Sequence, residues 1–96
     1  MNLRIDVTQE DIEQGKRGDS RACMAHRAID RATEGGLGEF GVHYAFCEGW
    51  LKFPDFRTLN LPEGIGARIS RWDAGAPTEP FSFELDMSPL LQEAGI

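Results

Sequence analysis

The sequence of residues 40–53 is FGVHYAFCEGWLKF, and this stretch decides the fold class. Val42 and Tyr44 alternate with His43, which is the side-chain period of a β-strand. Glu48-Gly49 supplies a turn, and a second apolar run follows it. The stretch therefore predicts a β-hairpin.

Two helices are predicted before this hairpin. Thr8 and Asp11 resemble a capping box, so a short helix should cover residues 9–14. Gly15 is expected to end it in the left-handed conformation that other residues resist. A second helix, capped by Asp19 or Ser20, should cover residues 20–33, and its alanine-rich face would let it approach a sheet closely.

The remaining elements flank these. Residues 3–7 and 81–86 alternate between apolar and polar side chains, and each predicts a strand. Residues 54–60 are expected to form an irregular connection. A third helix should begin at Pro62, where a missing N–H costs nothing, and carry apolar residues at helical spacing up to Trp72.

These elements predict a single α+β domain over residues 1–96, in the order β-α-α-β-β-α-β. About four strands would form an antiparallel or mixed sheet packed against two to three helices. Residues 87–96 are expected to form a flexible C-terminal tail.

The chain is acidic, with a formal net charge of −6 over 96 residues. Residues 1–33 hold six basic and six acidic residues, whereas residues 34–96 hold four basic and ten acidic ones. An acidic surface repels phosphate, which disfavours general nucleic-acid binding. The asymmetry fits either a solubilising surface or an acidic face that docks onto a basic groove of a partner.

No apolar run is long enough to cross a bilayer, and the first residues lack the apolar stretch of a signal peptide. We therefore expect a cytoplasmic protein that makes no membrane contact. Its cysteines, Cys23 and Cys47, are then expected to be reduced. The oligomeric state stays open between monomer and homodimer.

Two cysteines and two histidines supply four side chains of the kind that bind zinc. Cys23 and His26 lie one helical turn apart, but His43 and Cys47 lie four residues apart on a strand, which separates them by about 13 Å. One ion cannot contact both, because zinc bonds measure about 2.0–2.3 Å. We therefore predict no metal site and no cofactor.

Thiol chemistry is the other enzymatic hypothesis. Cys23 would lie near the start of a helix, where the helix dipole lowers the pKa of a thiol. No glycine-rich elbow or oxyanion-forming sequence surrounds it, so no catalytic residue is predicted. A binding protein is favoured over a metal- or thiol-dependent enzyme.

Basic residues gather on the second predicted helix, where Arg27 and Arg31 should point away from the core. A short helix, a glycine turn and an Arg-bearing helix over 20–33 superficially resemble a helix-turn-helix unit. A nucleic-acid-binding regulator is therefore the alternative hypothesis. Otherwise these arginines are expected to be solvated and to pair with Asp19, Asp30 or the acidic C-terminal region.

Aromatic residues gather around the connection after the hairpin, which suggests a surface for a partner because interfaces concentrate aromatic side chains. The residues predicted to bind a partner are Trp50, Phe53, Asp55, Phe56, Glu48, Arg27 and Arg31.

Two stretches carry a family resemblance. The first is IDVTQEDI at residues 5–12, followed by Gly15 and Cys23, and the second runs from Leu61-Pro62-Glu63 through ISRWDAG to EPFSFEL at residues 79–85. Together they resemble a family of small, mostly uncharacterised proteins of bacteriophages and prophages. The resemblance implies a phage or prophage origin and brings no catalytic residues with it.

Size, acidity and this resemblance together predict a small protein that binds a host protein or protein complex. Inhibition of a bacterial defence system, as anti-CRISPR proteins perform it, is the expected role.

Overall fold

The computed structural model describes residues 2–45 and 48–88. It has three helices and five strands in these ranges, and its class is α+β. In chain order the elements are β1 (Asn2–Val7), α1 (Gln9–Gln14), α2 (Met24–Thr33), β2 (Gly41–Ala45), β3 (Glu48–Lys52), β4 (Thr58–Asn60), α3 (Ile65–Asp73) and β5 (Phe81–Asp86). The predicted fold class is confirmed.

The strands form two antiparallel sheets. The first sheet pairs the chain's two outer strands, β1 and β5, so that Ile5 lies opposite Phe83 and Leu3 opposite Leu85. The second has the order β2-β3-β4. Helix α2 packs on β1, and α3 packs on β2 and β3. One continuous cluster of buried apolar residues includes side chains from both sheets and from α2 and α3.

The second sheet has two different faces. Val42 and Leu51 are opposite each other and fully buried, and Gly49 lies on the same face. A Cβ atom on Gly49 would come within 3.0 Å of the Gly66 Cα atom of α3, so the glycine permits this close approach of helix and sheet. The other face carries Lys52, which is exposed. The sheet is therefore covered by α3 on one side and solvated on the other.

Several predicted boundaries are wrong. The connection at residues 54–60 contains a strand, β4, because Leu59 is buried and pairs with Leu51 of the neighbouring strand β3. The third helix begins at Ile65 and not at Pro62, since Gly64 at its N-cap adopts the left-handed conformation (φ 88°). The hairpin pairs Ala45 with Glu48, so the turn does not lie at Glu48-Gly49.

The first two helices also differ from the prediction at their ends. The capping box of Thr8 and Asp11 is present, which confirms the start of α1. Gly15 is extended (φ −67°) and not left-handed, and it is needed because a Cβ atom there would lie 2.7 Å from the Asp11 carbonyl oxygen. Helix α2 begins at Met24 with Cys23 as its N-cap, not at residue 20.

Within the described residues, no helix combines the length and the apolar character needed to cross a bilayer. Most of the tail predicted at residues 87–96 lies outside the described part of the chain; of its first residues, Met87 is buried against the core.

Candidate functional site

The loop that joins β3 and β4 presents an aromatic ring to solvent. Phe56 is 86% exposed, and it is the one large hydrophobic residue exposed to this degree among the residues described. Its backbone lies in the left-handed region (φ 68°). That conformation costs roughly 1–3 kcal/mol for a residue with a side chain, and such strain concentrates at functional sites. Neither the exposure nor the strain contributes to the stability of the fold.

The same loop is held firmly by its other residues. The Phe56 N–H donates to the Phe53 carbonyl at 3.1 Å, and the Phe53 N–H donates to the Arg57 carbonyl at 3.0 Å. The Arg57 Nε donates to the Asp55 carboxylate at 2.6 Å, and its guanidinium lies 5.4 Å from the centre of the Phe53 ring. Phe53 itself is buried. A buried anchor and an ion pair thus fix the loop that displays Phe56.

The solvated side of the second sheet lies beside this loop, and we call it the open face, formed by His43, Trp50, Lys52, Thr58 and Asn60. His43 pairs with Trp50, and Trp50 pairs with Asn60, so these three side chains form a row across β2, β3 and β4. The His43 and Trp50 rings are nearly parallel, 6.0 Å between centroids. Both are half-buried, and the other three residues are exposed.

A groove follows the edge strand β2, beside the open face. It consists of two cavities, of about 360 and 280 Å³, which share Ser20 and His43 in their walls. The backbone of the 18–22 segment forms the opposite wall, and the Val42 N–H donates to the Ser20 carbonyl at 2.8 Å. The smaller cavity ends at Phe53 and Pro54, which leads directly into the loop of Phe56.

The larger cavity, which we call the aromatic cavity, contains a fixed polar pair. The Tyr44 hydroxyl donates a hydrogen bond to Asp73 Oδ2, and the Gly18 N–H donates to Asp73 Oδ1 at 3.0 Å. Burial, followed by this contact with the carboxylate, raises the pKa of Tyr44 to about 12. Tyr44 is therefore a neutral donor at physiological pH, and it locks the end of α3 to β2 and to the 18–22 segment.

The two arginines predicted to bind a partner serve the fold. Arg31 makes two hydrogen bonds of 2.7 Å to Asp11, and Arg27 lies 3.5 Å from the same carboxylate. Asp11 is fully buried. Its burial alone would raise the pKa, but hydrogen bonds from Arg31 and from the Thr8 N–H outweigh this and lower it.

The expected pairing of these arginines with Asp19, Asp30 or the acidic C-terminal region is wrong, because both of them pair with Asp11. Both arginines lie off the apolar face of α2 and are partly exposed, with 37% and 51% of their side chains accessible. A phosphate beside these guanidinium groups would also face the negative charge of Asp11, which weighs against a nucleic-acid site on α2.

The cysteine and histidine residues do not converge where they are described. The Cys23 sulfur accepts the His26 backbone N–H at 3.4 Å, while the His26 ring stacks on Phe40 and contacts the Phe40 carbonyl oxygen at 3.1 Å. Cys47 lies outside the described residues, and within them no three metal-ligating side chains come together.

Cys23 is also not activated as a nucleophile. Burial raises the pKa of its thiol, despite hydrogen bonds from the backbone at the start of α2 that act in the opposite direction. The prediction of a lowered thiol pKa is wrong, because only 2% of the residue's surface is exposed.

The structure separates the seven residues predicted to bind a partner. Trp50, Asp55 and Phe56 lie at the open face or its adjoining loop, whereas Phe53 is buried beneath that loop. The side chain of Glu48 is outside the described part. Tyr44 and Asp73 were missed, because 29 residues separate them and only the packing of α3 on β2 joins them.

Comparisons with protein-family models, with curated proteins and with solved structures found no match to this chain.

Proposed function

We propose that this protein binds a host protein or protein complex through the open face and the loop of Phe56. A phage or prophage origin and the inhibition of a bacterial defence system, as anti-CRISPR proteins perform it, complete the proposal. They rest on the resemblance of the sequence, its small size and its net charge of −6.

Phe56 is the observation that carries the proposal. Aromatic residues, phenylalanine among them, are enriched in protein–protein interfaces relative to the rest of the surface. Burial of an exposed phenylalanine ring contributes about 1.5–3 kcal/mol from apolar surface alone. The loop is already fixed by Phe53 and by the ion pair of Asp55 and Arg57, so little conformational entropy remains to be lost on binding.

The surroundings of Phe56 suit a protein better than a nucleic acid. Trp50 and His43 add aromatic surface, and Asn60 and Thr58 add polar groups of the kind that line an interface rim. Asp55 and Arg57, beside Phe56, neutralise each other, so the loop does not provide the run of positive charge that a phosphate backbone requires.

The test is the capture of a partner by two variants matched for backbone strain. Phe56→Gly removes the ring and relieves the left-handed strain, whereas Glu34→Gly relieves the same kind of strain (φ 53°) at the end of α2 and leaves the ring in place. The bait is incubated with host lysate, and recovered proteins are quantified by mass spectrometry.

We expect the wild type and Glu34→Gly to recover the same stoichiometric partner, and Phe56→Gly to recover at least tenfold less. Failure of the wild type to recover any stoichiometric partner would contradict the proposal. The defence role has its own readout: expression of the wild type should restore phage plating on a strain with an active defence system, and Phe56→Gly should not.

A further inference from the structure

We infer that the aromatic cavity binds an arginine side chain of the protein partner. This inference rests on the proposed function and assigns it a recognition chemistry. The aromatic residues His43, Tyr44 and Trp50 and the acidic residues Asp19 and Asp73 all line the cavity. Its volume of about 360 Å³ is large enough for a guanidinium group and its aliphatic stem.

The Asp73 carboxylate has unused acceptor capacity. Each carboxylate oxygen has about two acceptor sites, and each Asp73 oxygen is occupied by one donor, the Gly18 N–H on Oδ1 and the Tyr44 hydroxyl on Oδ2. Asp73 makes no salt bridge within the described residues, unlike Asp6, Asp11 and Asp55. One acceptor site on each oxygen remains for the two parallel N–H groups that a guanidinium presents.

The position of Asp73 in the chain also favours a cation. It is the last residue of α3, where the helix dipole concentrates negative charge. The Arg17 guanidinium already donates to the Trp72 carbonyl at this end of α3, at 2.6 Å. No salt bridge of the described residues joins Arg17 to Asp73, so a bound cation would pair with a carboxylate that Arg17 leaves unpaired. No lysine or arginine lines the cavity, so its charge is not compensated from within its own walls.

The aromatic rings select the kind of cation. A guanidinium within about 6 Å of a tryptophan or tyrosine ring is attracted to its face, and its planar shape stacks there better than an ammonium does. The Trp50 ring is held by its pairing with His43, and the Tyr44 ring by its hydrogen bond to Asp73. Trp50 lies on the open face and Tyr44 on the face that α3 covers, so the cavity meets the two rings on opposite sides of the sheet beside the edge strand β2. Each ring is in place before a ligand arrives, which lowers the cost of ordering it.

The experiment uses N-acetyl-L-argininamide as the probe and N-acetyl-L-leucinamide as its neutral counterpart. Titration of the 15N-labelled full chain is followed by NMR in about 0.15 M salt, which screens exposed charges. We expect saturable shifts of the Trp50 indole N–H and of the Gly18 amide, which donates to Asp73. The leucine compound should produce no saturable shift.

Two variants locate the binding. Asp73→Asn keeps the shape of the side chain and an acceptor for the Gly18 N–H. It should lower the affinity for N-acetyl-L-argininamide at least tenfold. Glu63→Gln removes the same charge at an exposed position outside the cavity and should bind as the wild type does. Absence of a saturable shift, or equal affinity of Asp73→Asn and the wild type, would overturn the inference.

Partner capture distinguishes the two proposals. Capture that depends on Phe56 but is unchanged in Asp73→Asn would leave the binding function standing and remove the arginine site. If Phe56→Gly and Asp73→Asn both fail to capture the partner and Glu63→Gln captures it as the wild type does, the result supports both the binding function and the arginine site.

Discussion

The region of α1 and α2 and the loop between β3 and β4 use their polar and aromatic residues in opposite ways. Around α1 and α2, the Asp11 carboxylate is fully buried, and Arg27 and Arg31 converge on it. In the β3–β4 loop, an aromatic ring is 86% exposed on a strained backbone. The first region pairs its charged side chains inside the protein, and the second exposes its most apolar side chain to solvent.

This contrast shows why charge on a helix is a weak guide to a binding surface. Arg27 and Arg31 are exposed enough to be counted as surface charge, with 37% and 51% of their side chains accessible. Both nevertheless hold a structural carboxylate. Phe56 has no such role, and burial of its ring by the proposed partner would account for its exposure.

The largest expected effect lies at the base of the loop. Phe53→Ala should lower the free energy of unfolding by about 3–5 kcal/mol, because a buried aromatic side chain leaves a cavity. Urea denaturation measures this. A loss below about 1 kcal/mol would show that Phe53 does not anchor the loop to the core.

The next effect concerns the buried carboxylate. Asp11→Asn should lower the free energy of unfolding by about 2–4 kcal/mol, somewhat less than for a fully buried ion pair because both guanidinium groups reach solvent. The exposed Asp30→Asn is the matched control and should change stability by less than about 0.5 kcal/mol. Equal denaturation midpoints for the two variants would contradict the structural role of Asp11.

Acid should destabilise the protein through the same residue. The pKa of Asp11 in the folded state lies below the ordinary value of 3.8, so its ionised form stabilises the fold at every pH above that value. This stabilisation is lost as the pH falls through the folded-state pKa.

Urea midpoints measured between pH 7 and pH 2.5 should therefore fall steeply below about pH 4 in the wild type. Asp11→Asn should show a shallower decline. Asp6, whose pKa is lowered chiefly by a hydrogen bond from Ser82, provides part of the decline that remains. Parallel curves for the wild type and Asp11→Asn would contradict the assignment.

The smallest effect has the opposite sign. Phe56→Gly should raise the free energy of unfolding by up to about 1 kcal/mol, because glycine adopts a positive φ without strain, although it also gains entropy when unfolded. Phe56→Ala removes the ring without relieving the strain, so it should show no such gain. A variant that is more stable and binds less would mark Phe56 as retained for function, whereas a loss of stability in Phe56→Gly would mean that the ring supports the fold.

Much of the secondary structure could be predicted from local rules. The alternation at residues 3–7 and 81–86 and the capping box at Thr8 and Asp11 each depend on neighbours within a few residues. Strand β4 could not be predicted this way, since three residues show little periodicity. Residue Leu59 belongs to a strand only because it pairs with Leu51 of β3.

The site shows the same division. The sequence indicated Trp50 and Phe56 because clustered aromatic residues are a local signal, but it could not separate Phe56 from the buried Phe53 three residues earlier. Nor could it find the aromatic cavity, since its lining residues come from residues 18–20, from Cys23, from β2 and β3, and from α3.

Sequence alone determined the α+β class, the acidic charge and the aromatic content of the loop after β3, because these follow from composition and short-range periodicity. Only the tertiary structure decided that Arg27 and Arg31 belong to Asp11, that Asp73 meets Tyr44, and that Phe56 stays in solvent. Each of these depends on which distant segments pack together. The packing determines whether a charged group meets an opposite charge and whether an aromatic ring is buried or exposed.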